Sequence, residues 1–444
     1  MRFDRLQDWL GWLETCHPSE IEMGLGRAST VAKALDINFG QSKIITVAGT
    51  NGKGSCVAVL NTLLTQAGYR VGAFTSPHFL DYNERIVVNN QAVKDLEIIE
   101  SFHRIDQCRQ TTSLTYFEFG TLAALDIFCR SNLDVVILEV GLGGRLDVVN
   151  IIDADIAIIT SIDIDHVDWL GPDRESIGAE KAGVFRPVVP AICADPNPPE
   201  SILNIAEAMG SRLLLWGKQF DLSVNQSSSK IGSWVGEDLS GNKIDLPSIE
   251  LPDLPVGSIA AAIQAIELLP LADSDRVKKV NYDHLKDIHL PGRFQKISLD
   301  EGLVILDVAH NPAAARHLQN LLSLHPIKGR TYALVAMMSD KDVEGIIEPL
   351  QDAFDGWFLG DLVDNPRAKK AFELEGIIKE HTEQVVTRAE SISEALDLVL
   401  EVMDISDRVV VFGSFFTVAE VMTLISKANN KKVERTTLEG SRDE

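Results

Sequence analysis

Residues 44–48 are an apolar run broken only by Thr46, followed by glycines and then by Val57, Leu60, Leu63 and Leu64 at helical spacing. The pattern predicts a strand, a tight loop and an amphipathic helix. Further apolar runs over 70–74, 135–138 and 156–160 alternate with helical patterns such as 118–129, which is the signature of an α/β fold with a mostly parallel sheet. Near the start, Phe3, Leu6, Trp9, Leu10 and Leu13 also follow helical spacing. Between 216 and 255 the pattern loosens into Ser- and Gly-rich stretches, 227–229 among them, with short alternations such as 243–246. These predict a few antiparallel strands or an irregular excursion. A helix over 258–269 follows, and Pro291-Gly292 then interrupts the chain. Beyond the break, strands over 303–307, 332–336, 357–359, 384–386 and 409–412 alternate with helices over 313–322, 343–354, 367–379, 393–403 and 418–428. A smaller, Rossmann-like α/β domain is expected there. The expected organisation is therefore 1–290, 291–430 and a polar, disordered tail over 431–444.

Charge narrows the partners. The 65 Asp and Glu against 41 Lys and Arg give a net charge of −24, so the long-range field repels nucleic acid and anionic lipid. A phosphate-bearing ligand must be held by a local device such as backbone N–H groups, a few cations or a metal. The five cysteines show no paired spacing, which excludes a disulfide framework or a zinc site. Asp4 and Asp8 interrupt any leader-like apolar stretch, and the uncharged run over 54–69 contains Asn61, Thr62, Thr65 and Gln66. A soluble, cytoplasmic protein is expected, with neither nucleic acid nor membrane as partner.

The loop Gly49-Thr50-Asn51-Gly52-Lys53-Gly54-Ser55 lies where a strand meets a helix N-terminus, the setting in which backbone N–H groups wrap a triphosphate. It departs from the usual Walker pattern in having Val47 as its first position and Gly54 between the lysine and the hydroxyl of Ser55. Glu139 ends a buried strand and precedes Gly141, Gly143 and Gly144; there it is a candidate Mg²⁺ ligand or a solvated acid. His166, flanked by Asp163, Asp165 and Asp168, suits a second metal position or a structural hydrogen bond. In Thr75-Ser76-Pro77-His78, Ser76 offers a hydroxyl to metal. After the break, Arg293 and the run Asp307-Val308-Ala309-His310-Asn311-Pro312 sit where a second domain could meet a nucleotide. Charge alone would make Lys181 a solvated helix residue.

Taken together, VAGTNGKGS, TSPHFLDYNERI, LTYFEFGTLAAL, VVILEVGLGGRLDVVNI, DHVDWLGPDRESIGAEKAG, LPGRFQ and DVAHNPAAA resemble the Mur ligase family over nearly the whole chain. The resemblance implies an N-terminal P-loop ATPase domain of Mur-ligase type and ATP-dependent amide-bond formation through an acyl phosphate. It implies that Thr50, Asn51, Gly52, Lys53, Gly54 and Ser55 hold ATP, with Arg293, Asp307 and His310 reaching it from the second domain. Ser76, Glu139 and His166 would hold Mg²⁺, as two ions. Lys53, Lys181 and His166 would be catalytic, with Lys181 matching a lysine that relatives carbamylate.

Glu22, Met23, Gly24 and Leu25, with Thr115, Tyr116, Phe117 and Glu118 and with Leu146, Asp147 and Val148, match segments that hold a pterin in folate-metabolising members. Phe117 is a candidate to contact the pterin ring or a core aromatic. The implied substrates are ATP, L-glutamate, dihydropteroate and reduced folates, and a monomer is expected. Alternatives are an enzyme that extends folates only, a peptidoglycan-precursor ligase, or a noncatalytic nucleotide-binding regulator. Ser258, where relatives carry asparagine, and Phe416, where they carry histidine, depart from the pattern.

Overall fold

Strands buried on both faces need apolar side chains at every position rather than at alternate ones. That is why Lys43–Ala48, Val135–Glu139 and Ile156–Ile159 form the centre of the first sheet, buried almost throughout. The computed structural model describes residues 2–225, 230–269 and 280–428, with the backbone of 429–440. These fall into two units, Met1–Ile288 and His289–Glu444.

In the first unit the sheet runs Gln91–Ala92, Ile86–Val88, Val71–Phe74, Val135–Glu139, Lys43–Ala48, Ile156–Ile159, Ala191–Cys193, Leu213–Leu215. All neighbouring pairs are parallel except the two at the Gln91–Ala92 edge. Parallel strands end on the same side, so the loops after Ala48, Phe74, Glu139 and Ile159 gather at one edge. The register sets Val47 opposite Glu139, which brings that acid level with the start of the glycine loop.

The helix Lys53–Gln66 buries Val57, Leu60, Leu63 and Leu64 and packs against Val256–Glu267, a helix that is apolar and buried nearly all round. Tyr116–Arg130 packs on the other side with Leu6–Leu13, Trp9 and Phe102 in its core. The loosely patterned excursion is a three-stranded antiparallel sheet, Asp221–Val224, Ile231–Glu237 and Lys243–Glu250; the Ser-rich segment 227–229 lies outside the described residues.

In the second unit the order is Gln295–Leu299, Gly302–Leu306, Arg408–Phe412, Thr331–Val335, Gly356–Leu359, Val385–Arg388, parallel but for the first pair. Phe354, Trp357 and Phe412 form its aromatic core. Three local expectations are corrected. The edge strand Gln295–Leu299 is additional; its alternating burial is that of a strand covered on one face. The helix expected over 343–354 stops at Ile347 and tightens into a 3₁₀ turn, Glu348–Leu350, because Pro349 cannot donate to the helical ladder. Of the tail expected to be disordered over 431–444, the part up to Gly440 is helical in its backbone, Phe415–Gly440 being continuous since no Pro or Gly interrupts it before Gly440, and residues 441–444 lie outside the described residues. Among the described residues no helix is long and apolar enough to cross a membrane.

Candidate active site

The glycine loop is held by side chains from distant parts of the first unit. Thr50 N–H donates to the Ser161 carbonyl (2.8 Å), Asn51 N–H to Ser161 Oγ (3.0 Å), and Thr160 Oγ1 donates back to the Asn51 carbonyl (2.7 Å). Thr50 and Asn51 thus anchor the loop with their own N–H groups. Gly52 has φ +81° and caps the helix that begins at Lys53; its carbonyl accepts from Ser258 Oγ at 3.0 Å, and a Cβ there would overlap that hydroxyl. At Gly49, a Cβ would overlap Thr160 Oγ1. The first turn of Lys53–Gln66 directs its N–H groups towards the loop, an electropositive cradle for phosphate. Lys53 Nζ curls back to the carbonyls of Gly49 (3.0 Å) and Thr50 (3.2 Å).

Two oxygen donors meet this cradle. Ser55 Oγ is fully buried without a hydrogen-bond partner, a costly state for a hydroxyl unless a ligand supplies one. Glu139 is buried at its strand end, 3.7 Å from where a Cβ on Gly54 would stand, and accepts from Ser76 N–H at 3.2 Å. Its charge, added to burial, pushes the Cys56 thiol up. Among the described residues no three His, Cys, Asp or Glu side chains converge as a metal site. The assembled set is instead a carboxylate with a hydroxyl, hard oxygen donors that fit Mg²⁺ or Mn²⁺. His166 stands at the head of the short helix Val167–Leu170 with φ +53°, its imidazole half exposed and 4.0 Å from Asp165.

Lys181 is buried, contrary to its reading from charge. Burial, then the positive charge of Lys53, pulls its ammonium down to about 7, with Asp165 opposing. Asp147, also buried, is pushed up to about 6 by burial, while backbone N–H groups of Leu142, Val149 and Gly141 and the charge of Lys53 hold it down. Lys53 therefore acts electrostatically on both groups.

The three segments matched to a pterin site are brought together. Gly24 N–H donates to the Leu146 carbonyl (3.3 Å), and Arg27 pairs with Glu22 and with Glu118 (3.0 Å). Thr115 and Glu118 spend their polar atoms on a capping box at the start of Tyr116–Arg130. Phe117 packs 6.0 Å from the Phe74 ring and against Gly141. Sequence reasoning assigned no role to Arg85 and His78, although both lie in a quoted motif. Arg85 Nε donates to His78 Nδ1 (2.8 Å) and lies over the rings of Tyr82 and Tyr116. Burial, then the Arg85 charge, pulls His78 down to about 4, so the ring is neutral near pH 7.

Within the second unit, Arg293, Asp307 and His310 also assemble. Asp307 is buried and accepts from the N–H groups of Phe294 and Ala309 (both 2.9 Å); burial raises its carboxyl against the charge of Arg293. Arg293 lies 5.1 Å over the Phe415 ring, and His310 packs 6.2 Å from the same ring. Phe416, beside it, is largely exposed.

These elements have counterparts in known proteins. The Mur ligase middle domain matches residues 47–227, and the Mur ligase, glutamate ligase domain, matches residues 292–415. The chain belongs to the Mur ligase family. Among its Mur ligase relatives, the dihydrofolate synthase/folylpolyglutamate synthase of Escherichia coli K12 is 42% identical over 420 residues, covering 95% of each chain. That of Haemophilus influenzae is 38% identical over 438 residues, covering 95% of this chain and 97% of its own. The solved structure of E. coli FolC in complex with DHPP and ADP superposes with a TM-score of 0.87 at 40% identity, covering 96% of this chain and 99% of that one. A bifunctional folylpolyglutamate synthase/dihydrofolate synthase with Mn, AMPPNP and L-glutamate bound has a TM-score of 0.84 at 42% identity, covering 95% and 98%.

Proposed function

We propose that this Mur ligase joins L-glutamate to dihydropteroate, and to reduced folates, in an ATP-dependent reaction through an acyl phosphate. The observation that carries the reading is the buried, unpartnered Ser55 hydroxyl in a helix-capping glycine loop beside Glu139 and two lysines. The relatives named above, bound to ADP, AMPPNP, Mn, L-glutamate or DHPP, support it.

Phosphoryl transfer depends on positioning and charge neutralisation rather than on a protein nucleophile. The loop 49–55 and the first turn of Lys53–Gln66 bind the triphosphate, and Lys53 leaves its loop carbonyls for the phosphate oxygens. A bound divalent ion, Mg²⁺ with two ions in our reading, supplies charge neutralisation at those oxygens, with Ser55, Ser76, Glu139 and His166 as its holders. The acceptor's carboxylate oxygen attacks the γ-phosphorus, the bond to the β-phosphate oxygen breaks, and ADP leaves. The glutamate amine then attacks the acyl carbon; phosphate departs and the amine proton is released. Lys181, its ammonium pulled down to about 7 by burial, offers the neutral amine that takes up CO₂ with loss of a proton, and the resulting carbamate would turn a repelled cation into an anion. Arg293, Asp307 and His310 serve the nucleotide, and the segments around Glu22, Phe117 and Asp147 serve the pterin. The protein works as a cytoplasmic monomer.

Incubating the purified chain with ATP, Mg²⁺ and L-glutamate tests this, with phosphate release and mass spectrometry of each acceptor as readouts. One glutamate should be added to dihydropteroate and at least one to a reduced folate. Extension of folates alone would reduce the activity to folylpolyglutamate synthesis, and ATP binding without glutamate incorporation would favour the noncatalytic regulator.

A further inference from the structure

We propose that His17 is a positioning residue of the acceptor site, a buried brace that holds the segment around Glu22 against the start of the helix Tyr116–Arg130. This rests on the pterin reading of those segments given above. Residues 14–25 join the helices Leu6–Leu13 and Gly26–Ala34 without helix or strand of their own, so no backbone ladder fixes them. Beside the Gly24 N–H bond to the Leu146 carbonyl, side chains must do so instead. The His17 imidazole is only 7% exposed and is engaged at both nitrogens, with Ser113 Oγ at 2.7 Å from Nδ1 and Glu22 Oε2 at 2.9 Å from Nε2. From Glu22 the contacts continue to Arg27, from Arg27 to the buried Glu118 (3.0 Å), and from Glu118 to the N–H of Thr115 (2.8 Å). Ser113, His17, Glu22, Arg27, Glu118 and Thr115 thus form one continuous chain of polar contacts. It ties the segment on either side of Met23 and Gly24 to the residues at the start of the helix Tyr116–Arg130.

The chemistry of this set makes it a brace rather than a switch. A carboxylate can only accept, so Nε2 carries the proton towards Glu22. In the neutral ring Nδ1 then accepts from the Ser113 hydroxyl. When the ring is protonated, Nδ1 donates to Ser113, whose hydroxyl turns to the Cys16 carbonyl at 3.4 Å. Each ring nitrogen thus has a partner that matches its role. The hydrogen bond from His17 is also the foremost cause that holds the Glu22 carboxyl below its ordinary range.

His17→Ala leaves Glu22, Ser113 and the loop between them unbraced, whereas His17→Gln has an amide N–H for Glu22 and a carbonyl for Ser113. For each variant we would measure dihydropteroate and ADP affinity by calorimetry, KM and kcat for dihydropteroate, and Tm. The expected result for His17→Ala is a roughly tenfold weaker dihydropteroate affinity and higher KM, with ADP affinity within about twofold of wild type. His17→Gln should recover most of the loss, and Ser113→Ala should show a smaller loss of the same kind. Unchanged dihydropteroate affinity in His17→Ala, or equal loss of ADP and dihydropteroate affinity, would overturn the proposal. If the wild type binds no dihydropteroate, the bifunctional reading falls, and a reduced folate takes its place as probe in the same comparison. If it binds neither acceptor, both proposals fall.

Discussion

Replacing Lys181 by Met separates what the fold prefers from what the chemistry requires. The side chain is buried, and its ammonium is pulled from 10.5 to about 7, mainly by burial and then by Lys53. That displacement corresponds to about 5 kcal/mol between charged and neutral forms, taken as an upper bound. The sign follows from proton counting. Between pH 7 and 10 the unfolded chain holds a proton that the folded chain has given up, so stability contributed by this group rises with pH and is lowest below 7.

Lys181→Met keeps the length and apolar stem without the charge. It should be more stable than the wild type at pH 7 by up to about 4 kcal/mol, with the difference shrinking to roughly 2 kcal/mol at pH 9. Urea titrations of both proteins at pH 7, 8 and 9 in CO₂-free buffer give this as a difference between wild type and variant. Ligase activity, in contrast, should be lost at every pH. Added bicarbonate should raise wild-type activity, since the neutral amine can take up CO₂, and leave the variant unchanged. Parallel stability profiles across pH, or a variant less stable at pH 7, would refute the reasoning.

Lys53→Ala should lower kcat by about 100-fold or more with little change in Tm, because the charge it brings to the phosphates is felt in the transition state; turnover and thermal melts report both. Glu139→Gln should raise the Mg²⁺ concentration needed for half-maximal activity about tenfold to a hundredfold, read from metal titrations of activity. Gly52→Ala forces a side chain into a left-handed conformation and against Ser258 Oγ, and should weaken ADP binding and cost about 1–3 kcal/mol of stability. Adding Ser258→Ala should relieve the overlap but not the φ strain, so the double variant recovers only part of the loss in calorimetry.

The parallel core was readable because strands such as Val135–Glu139 and Arg408–Phe412 are apolar but for one terminal residue each, and the glycine loop because its chemistry is local to seven residues. Other features depend on partners far away in the chain. Nothing near Lys181 in the sequence announces its burial. Ser258 looked like a departure from a base contact, yet its hydroxyl is committed to Gly52. His17 sits in a stretch without periodicity, and its meaning comes from Ser113, 96 residues on. Gln295–Leu299 was hidden because a short alternating strand inside a Gly- and Pro-bounded stretch carries little hydrophobic signal.

The hydrogen bond from Ser258 to Gly52 spans 206 residues, and those from Thr160 and Ser161 span about half as many. A chain emerging from the ribosome therefore completes its phosphate loop's scaffold only after the helix Val256–Glu267 has been made, well over half of the way through synthesis. Before that moment the seven loop residues are present but unsupported, and ring-closure entropy opposes holding them in shape. Nucleotide capture thus becomes a timer: stalled nascent chains ending before residue 258 should retain no ADP, while chains long enough to expose residue 267 should begin to hold it.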